Sequence, residues 1–596
     1  MDFEKPSLIK FQIGPVQDFI AQARSTRDLW SGSYLLSFLM ASGIRALPRR
    51  GGELVFPDRT DQLLLEDPET WRGLSGKSAT KLLTPNLPNL FVAEICENPL
   101  NHIADQVVSA INETWNKIAT ACFETLVREG VLEEKQRSEF KSQTGAFPSI
   151  TWQSTIIETS YCDAYEANGK QLDAVRQTRD FKSNPISRAG EKDSLSTKEI
   201  ALVGGTKFQE KMAKKGGDFG KLFKHADHLS AIALIKRVWH LAYLAHKDGA
   251  GLHQQVDSFR IRSTRAIAAK DLKTNEDENT DTAKGEKYLA AIAFDGDSIG
   301  RWISGELLDT SAPSDLRKHH TTFSGCLSDF ALGKVRGLIE ETEPESTVPT
   351  GFLIYAGGDD VVALTTAEAA LGVAERLRNA FLKSTAGIKG TDPDTKCPII
   401  PDASAGIAIA HFKSPLQDLI RAAQAAEKHA KNEIGRPAFS ISLMKRSGSI
   451  SHWGAKWDSR AISLHSDILQ AVKNGELSAK FPHRVCQLLE PYVTQRTGIS
   501  KQSDASDFSA SEIILLEFEH AAIRQGSIGI AQKLLPELDA YLAILATNRE
   551  EASQRHPERT LKHSLHQEQL KAIIGLCTTV AFTARNLPTA DRHAHA

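Results

Sequence analysis

Two hydrophobic periods alternate along the first quarter of the chain. The run SLIKFQI at 7–13 suits a short buried strand, and Gly14-Pro15 breaks it. Val16, Phe19, Ile20, Ala23, Leu29 and Trp30 then recur at roughly helical spacing, which predicts one long helix over 16–39. Strands are predicted at 53–56, 89–95 and 149–157, with a helix over 102–127 before the last of them. The order strand, helix, strand, strand, helix, strand is a split βαβ, ferredoxin-like arrangement. That fold hosts many functions, so it implies none by itself.

Residues 158–285 break the pattern. The stretch 182–224 is polar and Gly-rich, and KFQEKMAKKGGDFGKLFK at 207–224 carries six lysines against two acids, which reads as a loop that touches RNA or, in preference, as a solvated surface loop. A helix is predicted over 228–246, and DLKTNEDENTDTAKGEK at 271–287, nearly free of apolar residues, reads as an exposed linker. The first pattern then restarts. Strands are predicted at 288–294, 351–355, 361–364, 404–410 and 438–443, with helices near 313–341, 367–381 and 416–432. The rest, 451–596, reads as helical around a polar interruption at 494–511, and its RHAHA tail reads as a frayed terminus. The predicted class is therefore α+β, with two ferredoxin-like palm domains (1–157 and 286–450), a helical and loop insert (158–285) and a helical C-terminal domain (451–596).

Length and charge narrow the function. A chain of 596 residues exceeds what one hydrophobic core organises. A net charge of -2 argues against coating nucleic acid by bulk charge, so any RNA contact must be local or shared with other subunits. Seven scattered cysteines with no CxxC or CxxH spacing read as buried reduced thiols. With neither a signal-like N-terminus nor a spanning apolar run, the expected location is cytoplasmic, away from the membrane.

The chemistry concentrates in YAGGDDVVAL, 355–364. Two apolar strands flank a Gly-Gly-Asp-Asp tip, whose glycines tolerate positive φ and whose aspartates are hard oxygen ligands for magnesium or manganese. A plain hairpin turn would also use Gly and Asp. FDGDSIG, 294–300, ends the first strand of the same unit, which brings Asp295 toward Asp359 and leaves the plain turn the weaker reading. Two ions held by carboxylates from separate strands would activate a ribose hydroxyl and steady a leaving pyrophosphate. Asp297 reads as a further ligand or as a cap for the segment that follows, with capping favoured. Lys431, in AAEKHAKNEIG, reads equally as a triphosphate holder or as a solvated helix-end lysine.

IGPVQDFIAQARSTRDLWSGSYLLSFL, 13–39, resembles the opening palm of the large subunit of type III-B, Cmr-type CRISPR effector complexes. PNLPNLFVA (85–93), RQTRDF (176–181), HLSAIALIKR (228–237), FDGD, YAGGDD and SAGIAIAHFKSPL (404–416) follow in that family's order, so the resemblance covers roughly 1–445. It implies a target-RNA-activated nucleotidyl cyclase that joins ATP into cyclic oligoadenylates. Its partners would be CRISPR RNA, target RNA and other Cmr-type subunits. It makes Asp295, Asp359 and Asp360 the metal ligands and catalytic carboxylates. Gly296, Asp297, Ser298, Gly357, Gly358 and Lys431 become nucleotide-binding candidates, with Mg2+ or Mn2+ as cofactor. Some relatives couple ATP to S-adenosylmethionine, which stays open as an alternative product chemistry, as does a catalytically silent scaffold. A stand-alone GGDEF-like cyclase fits less well, because the palms are paired and a long insert separates them.

Two departures qualify the resemblance. Many members begin with an HD-type nuclease domain; this chain begins at the first palm without a His-Asp dipeptide, so no DNase activity is expected of it. The family often carries a cysteine zinc site between its palms. GEKDSLSTKE (190–199) has no cysteine, which argues against zinc there and for a segment held by packing.

Overall fold

The first sheet is built around β1 (Ser7–Gly14), in which every residue from Ser7 to Phe11 is buried. In this computed structural model the described residues are 5–48, 51–96, 100–145, 147–178, 190–223, 225–270, 288–308, 316–342, 348–393, 396–494, 509–555 and 564–585. The expected linker at 271–287, the RHAHA tail and most of the 494–511 interruption lie outside them, as do residues 179–181 of RQTRDF. β2 (Gly52–Phe56), β3 (Leu90–Ile95) and β4 (Ser149–Ile156) complete an antiparallel sheet of order β2-β3-β1-β4. Phe11 sits opposite both Phe91 and Trp152 and stacks on each ring.

The long helix predicted over 16–39 is two helices, α1 (Gln17–Ala21) and α2 (Thr26–Arg45). A capping box overrides the periodicity: the Asp28 amide donates to Ser25 Oγ, and the Ser25 amide donates back to the Asp28 carboxylate. Such a cap satisfies amides that would otherwise be orphaned at the start of α2, and the chain turns at Gln22–Ser25 to allow it. α3 (Leu100–Arg128) packs on α2, α4 (Tyr161–Gln177) packs on β4, and α6 (Ala231–Trp239) packs on both α2 and α3. Between them the lysine-rich segment forms α5 (Gly205–Lys215) instead of a loop. Lys211 and Lys215 donate to the carbonyls of Gly130 and Glu129, just past the end of α3, where a helix terminus leaves acceptors free.

A largely buried polar network joins 19–28 to 227–237. Arg24 donates to Asp227, Arg237 donates to Asp28 at 3.1 Å, and Lys236 donates to the carbonyls of Phe19, Ile20 and Gln22. Segment 190–199 is held by a carboxylate. Asp193, fully buried, accepts from the amides of Leu195, Ser196 and Ser230 and so staples this loop to the start of α6.

The second sheet has six strands. β5 (Tyr288–Gly296), β6 (Gly351–Gly357), β7 (Asp360–Thr366), β8 (Ala403–His411), β9 (Ala438–Met444) and β10 (Ile450–Lys456) lie in the order β10-β9-β8-β5-β7-β6. The last strand corrects the expected helical start at 451. Its inward residues are Trp453 and Ala455, and its polar alternation suits the edge it occupies. α7 (Ile299–Ile303), α8 (Leu316–Ser328), α9 (Ala370–Ser384) and α10 (Leu416–His429) connect these strands. Helices Ala461–Lys473, Phe481–Thr494, Ala510–Gln525, Ile528–Arg555 and Leu565–Arg585 follow and share the second core, with Leu534, Leu538, Ile573 and Val580 buried in it. The chain is thus α+β. Among the described residues, no helix is long and apolar enough to cross a membrane. All seven cysteines are free, but Cys96 and Cys397 are exposed, against the expectation of burial.

Candidate active site

β5 is apolar and buried from Leu289 to Phe294 because strands flank it on both edges. Asp295 is the first carboxylate to emerge, with its side chain 39% exposed. β6 and β7 are paired up to Gly357 and Asp360, which leaves Gly358 and Asp359 as a two-residue turn. Gly358 has φ +84°, a conformation that side chains disfavour and that suits glycine at the first position of such a turn. Phe294 pairs with Val361, so the antiparallel register carries Asp295 opposite Asp360. Glycine also permits the close approach of the two motifs: a Cβ on Gly296 would lie 3.0 Å from the Asp359 Cβ and 2.5 Å from Ile299.

The three carboxylates repel one another. Burial, then Asp295 and Asp360, pushes the Asp359 carboxyl well above the usual range. Burial, then Asp295 and Glu427, pushes that of Asp360 up to about 7. The Tyr355 hydroxyl is pushed far up by burial and then by the same carboxylates; a Cβ on Gly357 would collide with it.

Lys431 is the cation paired to this group. It sits in a wider π-type turn, Ala430–Gly435, that continues α10, and its side chain is only 8% exposed. Its Nζ bonds the Asp295 carboxylate, and Glu427 lies 2.7 Å away on the other side. Burial would lower its pKa, but Asp295 and then Glu427 raise it on balance. The solvated helix-end reading of Lys431 is therefore incorrect.

Asp297 belongs elsewhere. It accepts from the Ser404 hydroxyl at 2.9 Å, with Arg436 Nε 3.5 Å away, and its own amide donates to Asp402 O. Burial, partly offset by Ser404, pushes its carboxyl up to about 6. It does not cap α7, which follows Ser298 at φ +56° with no side-chain cap; the capping expectation fails because Ser404 takes the carboxylate. Arg378 grips Asp402 through two nitrogens, at 2.8 and 2.7 Å, and so fixes the strand end that holds the Asp297 amide.

Asp295, Gly296, Gly357, Gly358, Asp359, Asp360 and Lys431 thus come together, and Asp297 and Ser298 stand beside them. Glu427 and Tyr355 were not anticipated, although the Glu427–Lys431 spacing of four on a helix was visible. Hard oxygen donors from Asp295, Asp359 and Asp360, set among glycines that leave a cradle a Cβ would fill, are of the type divalent cations take, although among the described residues no group of three or more such side chains is already arranged to hold one. A separate cavity of about 250 Å³ lies among Phe19, Phe147, Leu195 and Ile232. Of the charged residues that line it, Asp193 and Lys236 are bonded to backbone, and Lys198 and Glu199 stand at its wall.

Two families match the chain: Cas10/Cmr2, second palm domain, over residues 288–440, and CRISPR-associated protein Cmr2, N-terminal, over 8–120. The first match runs from β5 to Ser440 in β9 and includes Asp295, Asp297, Asp359, Asp360, Asp402 and Glu427. A curated relative, the CRISPR system Cmr subunit Cmr2 of Pyrococcus furiosus, is 24% identical over 609 residues, covering 83% of this chain and 68% of the relative. Among solved structures, the type III-B Cmr-beta complex in its apo state contains a chain that superposes with a TM-score of 0.60 at 14% identity, covering 88% of this chain and 78% of that one. The same complex bound to cognate target RNA gives 0.58 at 13% identity over the same shares. These two structural likenesses are of fold.

Proposed function

We propose, from the premise that the chain is a Cmr2-like protein of the type III-B CRISPR class, that it is a target-RNA-activated nucleotidyl cyclase joining ATP into cyclic oligoadenylates. The carrying observation is the juxtaposition of Asp295, Asp359 and Asp360 with Lys431. Clustered carboxylates with raised pKa values cost stability, and a silent scaffold gains nothing from them. In this reading both sheets are ferredoxin-like palms, in the order 4-1-3-2 for β1–β4 and for β5–β8. In this reading 158–285 is an insert between the palms and the helices after β10 form a C-terminal region.

Asp295, Asp359 and Asp360 would hold Mg2+ or Mn2+, which when bound activates a ribose hydroxyl and steadies pyrophosphate. Gly296, Gly357 and Gly358 would leave room for phosphate oxygens. Lys431 would hold Asp295 in place in the absence of metal and bear on the triphosphate in its presence. Asp297, through Ser404, would keep the Gly296–Ser298 turn against β8. The partners in this reading are CRISPR RNA, target RNA and other Cmr-type subunits, in keeping with the related complex solved with target RNA.

The test is radiolabelled ATP turnover by the reconstituted complex, with and without matching target RNA, beside Asp359→Ala/Asp360→Ala. Target-dependent product that the double variant loses is the expected result, and its mass, with and without S-adenosylmethionine, identifies it. A complex that binds target RNA yet makes no product would leave the scaffold reading.

A further inference from the structure

One helix, α8, touches both carboxylate-bearing motifs and the first unit. It buries His320, Phe323, Ser324 and Leu327, whose spacing puts them on one face. Towards its end Leu327 backs the hairpin, 3.8 Å from where a Gly358 Cβ would stand. In its first turns two histidines hold α7, the short helix that continues the Asp295 motif. His319 Nε2 donates to Trp302 O at 3.0 Å, and His320 Nε2 donates to Ile303 O at 2.5 Å. Both carbonyls lie in the last turn of α7, where a helix leaves acceptors without intrahelical donors.

The other ring nitrogen of His320 faces the first unit. Its Nδ1 lies 2.9 Å from the Tyr161 hydroxyl, at the start of α4. The Tyr165 ring packs 4.5 Å from the imidazole. Beside His320, Arg317 donates to Glu94 on β3 at 2.6 Å and pairs with Glu53 on β2. His320 is 5% exposed, and burial pushes its pKa down to about 4. A neutral imidazole has one N–H, and a carbonyl only accepts, so the hydrogen sits on Nε2 and Nδ1 accepts from Tyr161. The bonds therefore run in series, from Tyr161 through His320 to the end of α7. Breaking either one leaves a buried polar group unpaired.

We infer that Tyr161 and His320 are positioning residues of the carboxylate site, through which the first unit holds the 295–303 segment and sets Asp295 against the Gly358–Asp359 turn. The inference rests on the metal and nucleotide reading of that site and adds to it a dependence on the first unit. Groups that orient metal ligands without touching the metal are typically worth about 10- to 100-fold in metal affinity.

The experiment is manganese binding to the full chain, followed by the electron paramagnetic resonance of the free ion, which requires neither RNA nor turnover. Tyr161→Phe keeps the ring and should weaken manganese by about tenfold. His320→Asn keeps an acceptor near Nδ1, loses the donor to Ile303 O, and should weaken it at least as much. His320→Gln, which can place an N–H where Nε2 stands, should weaken it less. Because the bonds act in series, Tyr161→Phe/His320→Asn should be no weaker than His320→Asn alone. Tyr165→Phe is the control: it keeps the packing on His320, removes a hydroxyl outside the series, and should change nothing. Unaltered binding in Tyr161→Phe or in His320→Asn overturns the inference. Equal weakening in Tyr165→Phe also overturns it, since packing would then be the cause. Asp359→Ala separates the two claims. If it abolishes binding that the positioning variants leave untouched, the metal reading stands and the positioning claim fails. If the unmodified chain binds no manganese, or binds it no better than Asp359→Ala, the metal reading fails, and the positioning claim with it.

Discussion

Lys431 Nζ bonds the carboxylate of Asp295 from a turn 136 positions further along the chain, with its side chain almost wholly buried. The pair is asymmetric, because Asp295 is more than a third exposed while the lysine is enclosed. Asp295 is therefore reachable from solvent, and its partner is not free to leave. Lys431→Gln should lower ATP turnover by about 100-fold, the loss typical of removing one charge-stabilising donor. Steady-state kinetics of the assembled complex would check this. Turnover within twofold of the unmodified complex would make the lysine structural only.

Relieving the carboxylate cluster should separate stability from activity. Asp359→Asn removes one of three mutually repelling groups and should raise the metal-free thermal midpoint by about 2 °C. The same change should abolish turnover. Calorimetry in chelator and a turnover assay on the same preparation give both numbers. A lowered midpoint would show that the cluster is not a source of strain.

The Asp28–Arg237 pair carries a pH signature. Burial raises the pKa of Asp28, but Arg237 and the Arg24 amide outweigh it, and the net shift is downward. A carboxyl with a depressed native pKa binds its proton more weakly folded than unfolded. Its contribution is present above the ordinary carboxylate range and is lost as pH falls through and below about 4. Arg237→Met leaves a buried charge unpaired and should cost about 3 kcal/mol at neutral pH. That deficit should narrow on acidification, as followed by chemical denaturation from neutral pH downward. A pH-independent deficit would exclude the ion pair as its cause.

Gly32 tests packing in the same network. A Cβ there would lie 2.4 Å from Lys236 Cε, and Lys236 cannot swing aside without releasing three carbonyls. Overpacking of about 1–3 kcal/mol competes with the gain of about 1 kcal/mol from replacing a helical glycine. Gly32→Ala should therefore destabilise by about 1 kcal/mol. In Lys236→Met, whose thioether ends short of the carbonyls, the same change should be neutral or favourable. A double-mutant cycle with no coupling would show that the contact does not govern the choice of glycine.

Much of the site was legible because it is local. FDGD and YAGGDD sit at the ends of apolar runs that can be nothing but buried strands, so the first five strands of the second sheet and its carboxylates followed from period and turn chemistry. Periodicity failed at 16–39, where a capping box at Ser25 and Asp28 stopped a helix that the apolar spacing would have continued. It failed again at 450–456, where an edge strand needs only one buried face and so carries few apolar residues.

What the chain by itself determined was the inventory: two sets of strands and helices, glycines where backbones must approach, and carboxylates at strand ends. What only the tertiary structure decided was partnership. Lys431 neutralises Asp295, Asp297 turns to Ser404 and Asp28 meets Arg237, all across separations of more than a hundred residues. Local propensity acts over a few residues along the chain. Charge pairing and desolvation act through space, and only the packed fold sets those distances.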